Sequence, residues 1–139
     1  MKRARDLWPG IASFHALRDA ARRASRAKPL SVEVARFMAG LETEVLRLER
    51  ELHTEAYAPG PYRTFRIRDP KPRTISAAPF RDRVVHHALC AALDPIFERV
   101  SIDHSYACRV GKGQQAAVRH AQRLARRQKF FLRLDIEHY

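Results

Sequence analysis

The most informative stretch of the sequence reads Phe130-Phe131-Leu132-Arg133-Leu134-Asp135-Ile136-Glu137-His138-Tyr139. Its alternating to wholly apolar pattern predicts a β-strand that delivers one carboxylate, Asp135, near its end. A site that works with two metal ions needs at least a pair of carboxylates. The second carboxylate would have to lie beyond Tyr139, so we expect the chain to be the amino-terminal part of a larger enzyme.

Charge is the most informative property of the composition. The 139 residues include 27 Lys and Arg against 15 Asp and Glu, which gives a formal net charge of +12. Such an excess is typical of proteins that bind nucleic-acid phosphates. The hydrophobic content of 45% is enough for one core of ordinary size, so a single compact unit is expected.

No feature of the sequence indicates a membrane protein. The chain has no apolar run that could span a bilayer, no Lys-rich amphipathic anchor at its start and no signal-peptide apolar region. Its two cysteines, Cys90 and Cys108, do not make a disulfide framework. We therefore expect a cytoplasmic protein without a membrane partner.

Helical periodicity dominates the first 58 residues. One helix is expected from about Ile11 to Lys28, where Pro29 stops it. Ser31 can cap a second, long helix with a narrow apolar stripe made by Val34, Phe37, Met38, Leu41, Val45, Leu48 and Leu52. Its other face carries Glu42, Glu44, Glu49, Glu51 and Glu55. An acidic face repels phosphate, so we expect this helix to be a scaffold.

Residues 62–78 are predicted to form a β-hairpin. Tyr62 to Arg68 alternates, Asp69-Pro70-Lys71-Pro72 supplies a tight turn, and Arg73 to Ala78 returns as the second strand. The hairpin carries about five cations, and Asp69 is the only acidic residue near them. Two functions fit this charge: protection of a solvated edge from aggregation, or contact with phosphate.

Two further helices are predicted after the hairpin. Pro79 suits the first turn of a broadly apolar helix, which Asp94-Pro95 should end or kink. After a polar loop from Ser101 to Gly113, Gln114 to Gln128 form a helix with one cationic face. That face is either solvated or in contact with nucleic acid, and it consists of Arg119, Arg123, Arg126 and Arg127.

Two His-x3-Cys pairs raise the question of a zinc site. His86 and Cys90 are four residues apart, as are His104 and Cys108, and four such side chains can close a tetrahedral site. The spacing matches none of the common zinc modules, and both cysteines have apolar or small neighbours. Buried packing is therefore the favoured role of both cysteines.

Five blocks of the sequence resemble the front half of bacterial reverse transcriptases, most closely those of diversity-generating retroelements, group II introns and retrons. The blocks are Tyr62-Arg63-Thr64-Phe65, Asp69-Pro70-Lys71-Pro72-Arg73-Thr74-Ile75-Ser76, Pro79-Phe80-Arg81-Asp82-Arg83-Val84-Val85-His86-His87-Ala88-Leu89, His104-Ser105-Tyr106-Ala107-Cys108-Arg109-Val110-Gly111-Lys112-Gly113 and Leu134-Asp135-Ile136. The resemblance covers about Val34 to Tyr139, and the order and spacing of the blocks are more specific than any one of them.

This resemblance implies an α+β fold in two parts. A mostly helical amino-terminal region would span residues 1–58. Residues 59–139 would form the fingers hairpin and the first palm strand of a right-hand polymerase. The family's Tyr-x-Asp-Asp block and thumb have no counterpart in the 139 residues. The chain by itself is therefore expected to be inactive.

The resemblance also implies roles for individual residues. Asp135 would be the catalytic carboxylate that binds Mg²⁺, with the backbone carbonyl of Ile136 as a further ligand. Arg73, with help from Lys71, would neutralise the incoming triphosphate. Two residues would offer backbone N–H groups nearby, His138 and Tyr139. The cations expected to bind nucleic acid are Arg66, Arg68, Arg81, Arg83, Arg119, Arg123, Arg126 and Arg127.

The function implied for the complete protein is RNA-directed DNA polymerisation by a two-metal mechanism. Its partners would be an RNA template, a DNA primer, deoxynucleoside triphosphates and an accessory retroelement protein. The alternative is a non-enzymatic, basic RNA-binding module in which Asp135 has no catalytic role. An in-frame Asp-Asp block beyond Tyr139 in the encoding DNA would favour the enzyme, and a stop codon there would favour the binding module.

Overall fold

A computed structural model describes residues 4–26 and 31–136, and within these ranges the fold is α+β, as predicted. The helices are α1 (Trp8–Ile11), α2 (Phe14–Ser25), α3 (Val32–Ala39), α4 (Leu41–His53), α5 (Phe80–Val100) and α6 (Gln114–Ala125). The strands are β1 (Arg63–Arg68) and β2 (Pro72–Ala77), which form one antiparallel sheet. None of the described helices combines the length and hydropathy that crossing a bilayer requires.

The chain divides into two compact units, Met1–Ile96 and Phe97–Tyr139, where one was expected from its length. The division also differs from the boundary proposed at residues 58 and 59. Side chains that cross that boundary explain the difference, because Tyr57 donates a hydrogen bond to Asp82 on α5. Contacts of this kind join the amino-terminal helices, the hairpin and most of α5 into one unit.

The hydrophobic core lies in the first unit. Helix α2 packs on α4, and its buried face consists of Leu17 and three small residues, Ala20, Ala21 and Ala24, which let the two helices approach closely. Val45, Leu48 and Leu52 supply the facing stripe of α4. The ring of Phe37 on α3 meets that of Phe80 on α5 edge to face, with centroids 5.1 Å apart. The predicted apolar stripe is thus the core-facing side of α3 and α4.

Local capping sets the ends of both helices predicted for the first 58 residues. The first is observed as α2: the Oγ of Ser13 accepts a hydrogen bond from the N–H of Ala16 at 3.4 Å and so starts α2 at Phe14, after the short helix α1. Helix α2 ends at Ser25, and the predicted stop at Lys28-Pro29 lies outside the described residues. Gly40 divides the second, since a flexible residue ends α3 and begins α4 there.

Two other predictions, the cap at Ser31 and the helix end or kink at Asp94-Pro95, are confirmed only in part. Ser31 occupies the N-cap position of α3 with extended dihedral angles, although its side chain makes no capping hydrogen bond. Helix α5 does not end at Pro95 but continues to Val100. Proline removes one backbone hydrogen bond, and the bonds on either side maintain the helix until Ser101, whose N–H donates to the carbonyl of Phe97 at 2.8 Å.

The second unit has no buried residue between positions 97 and 136. In its loop from Ser101 to Gly113, Arg109 makes the largest number of the described side-chain hydrogen bonds, and Lys112 also donates to the carbonyl of Asp103. The guanidinium of Arg109 donates to both carboxylate oxygens of Glu98, at 2.9 to 3.2 Å, and to the carbonyl of Ile102 at 2.6 Å. The bond to Arg109 lowers the pKa of the Glu98 carboxyl. Ionic and hydrogen-bonded contacts therefore order this part of the chain in place of an apolar core.

The strand predicted at 130–139 is not formed over residues 130–136, and residues 137–139 lie outside the described part of the chain. A strand exists by its hydrogen bonds to a neighbouring strand, and the only described strands, β1 and β2, pair with each other. The segment's apolar side chains consequently stay in solvent, with Phe131 90% and Leu134 82% exposed.

Candidate nucleic-acid interface

The hairpin presents its cations on two different faces. The antiparallel pairing of β1 with β2 places Arg66 opposite Thr74 and Ile67 opposite Arg73. Side chains alternate along a strand and directly opposed residues share a face. Arg73 therefore shares a face with Ile67, while Arg66 and Arg68 point to the other face. The predicted fingers cations are exposed, as expected, but they do not form one cluster.

The face with Arg73 combines cations and apolar groups. Phe65 lies on this face, and the guanidinium carbon of Arg63 is 5.6 Å from the centroid of its ring. Phe65 is 36% exposed, and Ile67 is 39% exposed. Aromatic rings beside arginines offer stacking for bases and charge for phosphates. This face is the described surface whose chemistry best fits a single strand of nucleic acid.

A buried carboxylate attaches the hairpin to α5. Asp82 is 3% exposed. Its two oxygens accept hydrogen bonds from the hydroxyl of Tyr57 at 2.7 Å and from the backbone N–H of Gly60 at 2.8 Å. Burial, and then the hydrogen bond to Asp82, raise the pKa of the Tyr57 hydroxyl. The segment leading into β1 is therefore held at both ends of a short turn.

Gly60 fits this turn because a side chain there would collide. A Cβ atom at position 60 would lie 2.9 Å from Cγ of Pro79 and 3.5 Å from a carboxylate oxygen of Asp82. We expect Gly60→Ala to lower the free energy of unfolding by about 1 to 3 kcal/mol, as for other overpacked sites. Urea denaturation measures this, with Gly10→Ala as the control, since nothing lies within 4 Å of a Cβ there. Equal stability of both variants would show that the turn tolerates a side chain.

The two arginines at the start of α5 have different environments. Arg81 forms an ion pair with Glu51, which also accepts a hydrogen bond from Nε of Arg47 at 2.9 Å. Burial, and then the charge of Arg47, lower the pKa of Arg81. Arg83 packs its guanidinium 5.1 Å from the ring centroid of Phe80 and takes part in none of the ion pairs among the described residues. The Nε atoms of both arginines are buried without a hydrogen-bond partner. Because Glu51 neutralises Arg81 and not Arg83, Arg83 is better placed than Arg81 to bind an external anion.

The cations predicted on α6 are exposed in the second unit. Arg119 and Arg123 lie one turn apart within the helix, and Arg126 is its C-cap residue. Arg127 follows the helix end, and its N–H donates to the carbonyl of Leu124 at 2.9 Å. Cations at a helix carboxyl end also stabilise the helix dipole. Their position accordingly fits both of the roles left open by the sequence.

Asp135 also lies in the second unit, with its side chain accessible. One of its carboxylate oxygens accepts a hydrogen bond from the N–H of Ile136 at 3.0 Å. Oxygen ligands are those that Mg²⁺ prefers, so the donor type fits this ion. Within the described residues, no group of three or more His, Cys, Asp or Glu side chains could hold a metal ion. The residues predicted to offer N–H groups, His138 and Tyr139, lie outside the described ranges.

The expectation of buried cysteines is wrong. Cys90 and Cys108 are both exposed and free. His104 packs instead against His120, with ring centroids 4.6 Å apart. Burial, and then the nearby charge of His104, lower the pKa of His120. The thiol of Cys108 has no apolar surroundings to enter, because residues 97–136 contain no buried core.

Sequence reasoning missed the residues that position the hairpin. Asp82 was part of a recognised block, but its acceptor role depends on Tyr57, which lies 25 positions earlier. Glu33 on α3 accepts a hydrogen bond from the N–H of Phe80 and so caps α5 from 47 positions away. The one sequence signal was the acidic Asp82 between two arginines, because a buried carboxylate needs hydrogen-bond donors nearby.

No protein-family model matches the chain, and no curated protein is significantly similar to it. The resemblance to reverse transcriptases therefore rests on the five sequence blocks and stays a prediction.

Proposed function

We propose that this chain is the fingers-containing part of an RNA-directed DNA polymerase and that its hairpin binds single-stranded template and incoming nucleotide. The observation that carries the proposal is the exposed cationic and aromatic face of the hairpin, fixed to α5 through buried Asp82. A surface held by buried hydrogen bonds loses little further entropy when it binds a ligand. The rest of the proposal comes from the resemblance.

In this proposal the two faces of the hairpin bind different parts of the substrates. Arg73, with Lys71 in the adjacent turn, neutralises the triphosphate, since a guanidinium can bind two phosphate oxygens at once. Phe65 supports a base on the same face. Arg66 and Arg68, on the opposite face, contact another part of the nucleic acid. The exposed arginines of α6 extend this contact in the second unit.

The proposed cofactor is Mg²⁺, held by Asp135 and the backbone carbonyl of Ile136. The ion would offset the negative charge of the phosphates during nucleotidyl transfer. Because Asp135 is one carboxylate where a metal pair needs at least two, a second carboxylate must complete the site. Cytoplasmic location and an accessory retroelement partner belong to the same proposal.

Salt dependence tests the binding part of the proposal. If four to six phosphates are contacted, we expect the affinity for single-stranded RNA to fall roughly 50- to 300-fold between 50 and 200 mM salt, with little sequence preference. Fluorescence anisotropy with labelled oligonucleotides of several sequences measures both properties. An affinity that is independent of salt would remove the nucleic-acid partner and, with it, the proposed function.

A matched set of charge variants assigns this binding to the hairpin. Replacing Arg66 and Arg68 with glutamine should lower the salt dependence by about 0.7 in logarithmic slope for each phosphate that is no longer bound. Arg50→Gln is the control, since Arg50 is exposed on α4 beside the acidic residues of that helix. Equal effects of the control and the hairpin variants would mean that only net charge matters, which contradicts a specific hairpin site.

A further inference from the structure

A cavity of about 290 Å³ lies in the first unit, at the end of the hairpin far from its turn. Arg63 at the start of β1 and Arg83 on α5 supply its cationic side chains, and Glu33 supplies its carboxylate. A second depression shares Arg63 and Glu33 and adds Arg36 of α3. The two depressions thus bring together three arginines from three separate elements.

None of the ion pairs among the described residues neutralises these three arginines. The described pairs involve Arg18, Arg47, Arg81 and Arg109. Arg36, Arg63 and Arg83 are absent from these pairs, and the Nε of Arg83 is buried with no hydrogen-bond partner. The carboxylate of Glu33 is engaged by the N–H of Phe80. The cavity therefore has excess positive charge.

We propose that this cavity binds a phosphate group of a single-stranded nucleic-acid backbone. Phosphate offers several acceptor oxygens, and arginine is the side chain best suited to bind them. Because none of the described ion pairs involves these three arginines, a phosphate that enters the cavity displaces no carboxylate partner. This inference rests on the proposed function, because it names a subsite for the template strand.

The position of the cavity favours a backbone phosphate over a nucleotide triphosphate. Each hairpin strand has six residues, so its ends are separated by about 17 Å. Arg63 is at one end, paired with Ala77, and Arg68 and Pro72 flank the turn at the other. Arg73 is four residues from Ala77, so a triphosphate bound at Arg73 and Lys71 lies about 14 Å from the cavity end of the hairpin, which is farther than a triphosphate extends. An extended nucleic-acid strand can follow the hairpin from one end to the other.

Three charge variants of the full chain test the subsite. Arg83→Gln and Arg63→Gln should each weaken binding of a decauridine RNA without terminal phosphates about five- to tenfold, and should lower the salt slope by about 0.7. Glu33→Gln retains an oxygen that can accept from the N–H of Phe80 but removes the negative charge from the cavity. It should strengthen RNA binding about two- to threefold. Arg50→Gln, outside the cavity, is the control.

Two probes distinguish the sources of phosphate. Binding of decauridine and of deoxythymidine triphosphate is measured for each variant by anisotropy and calorimetry, with circular dichroism to confirm folding. We expect Arg83→Gln to affect the RNA alone and Arg73→Gln to affect the triphosphate. Loss of triphosphate binding in Arg83→Gln would confirm a phosphate site but overturn the backbone assignment.

The remaining outcomes also decide the question. Unchanged RNA binding in both Arg63→Gln and Arg83→Gln, while hairpin-turn variants bind more weakly, would overturn the cavity and leave the proposed function in place. A wild-type chain that binds no RNA would overturn the proposed function and the inferred subsite together. If Arg83→Gln does not fold, the exposed Arg63 and the opposite effect expected for Glu33→Gln still decide the matter.

Discussion

Asp82→Ala is expected to lower the free energy of unfolding by about 3 kcal/mol. The substitution removes a carboxylate that is 3% exposed and leaves two donors, the Tyr57 hydroxyl and the Gly60 N–H, without their acceptor. Urea denaturation of the variant and the wild type gives the difference. Asp82→Asn serves as the matched control, since its single carbonyl oxygen can still accept from one donor and the loss should be smaller.

The hairpin should respond to the same substitution. Because Asp82 holds the segment that leads into β1, amide hydrogen exchange in β1 and β2 should accelerate more than exchange in α2 or α4. A variant with wild-type stability and unchanged exchange would show that the Asp82 hydrogen bonds do not hold the hairpin. Uniform acceleration throughout the first unit would instead mean that the residue supports the core as a whole.

Tyr57 should make the free energy of unfolding depend on pH. Its pKa is raised in the folded chain, first by burial and then by Asp82. The unfolded chain therefore begins to lose the tyrosine proton near the ordinary pKa of about 10, while the folded chain still retains it. The stabilisation is present below pH 10 and is lost as the pH rises further. Tyr57→Phe should show a flatter stability curve above pH 10, and an identical curve would exclude Tyr57 as the cause.

The largest functional effect is expected for Asp135→Asn in a polypeptide that joins this chain to a second carboxylate block. The amide keeps the size of the side chain but removes the charge that holds the metal ion. Turnover in primer extension should therefore fall by about three orders of magnitude or more, while template binding is retained. Steady-state kinetics and anisotropy measure the two properties. Asp94→Asn, at an exposed position of α5, is the control.

Arg73→Ala should impair the same polypeptide in a different way. It removes a bidentate interaction with phosphate while the metal site remains, so use of the incoming nucleotide should weaken more than maximal turnover. Arg73→Lys should recover only part of the loss, because an ammonium group lacks the planar fork. Near-normal turnover of Asp135→Asn would remove Asp135 from the active site and with it the main support for the polymerase proposal.

Local sequence signals predicted the secondary structure well where neighbouring residues decide it. The alternation of residues 62–68 and the Asp69-Pro70-Lys71-Pro72 turn predicted the hairpin almost to its observed ends. The predicted apolar stripe contains all five buried residues of α3 and α4. Gly40, which divides the second predicted helix into α3 and α4, is itself an ordinary stop residue. The apolar periodicity on either side of it concealed this signal.

The sequence by itself determined the α+β class, the hairpin and the strong positive charge, because propensity, turn chemistry and composition act over a few residues. The tertiary structure alone decided which charged side chains have a partner within the chain and which have none among the described residues. Glu51 pairs with Arg81 across 30 positions, and Glu33 caps Phe80 across 47, whereas Arg83 has no carboxylate partner among the described ion pairs. It also decided that residues 130–136 form no strand, since a strand requires a hydrogen-bonding neighbour that its own sequence cannot supply.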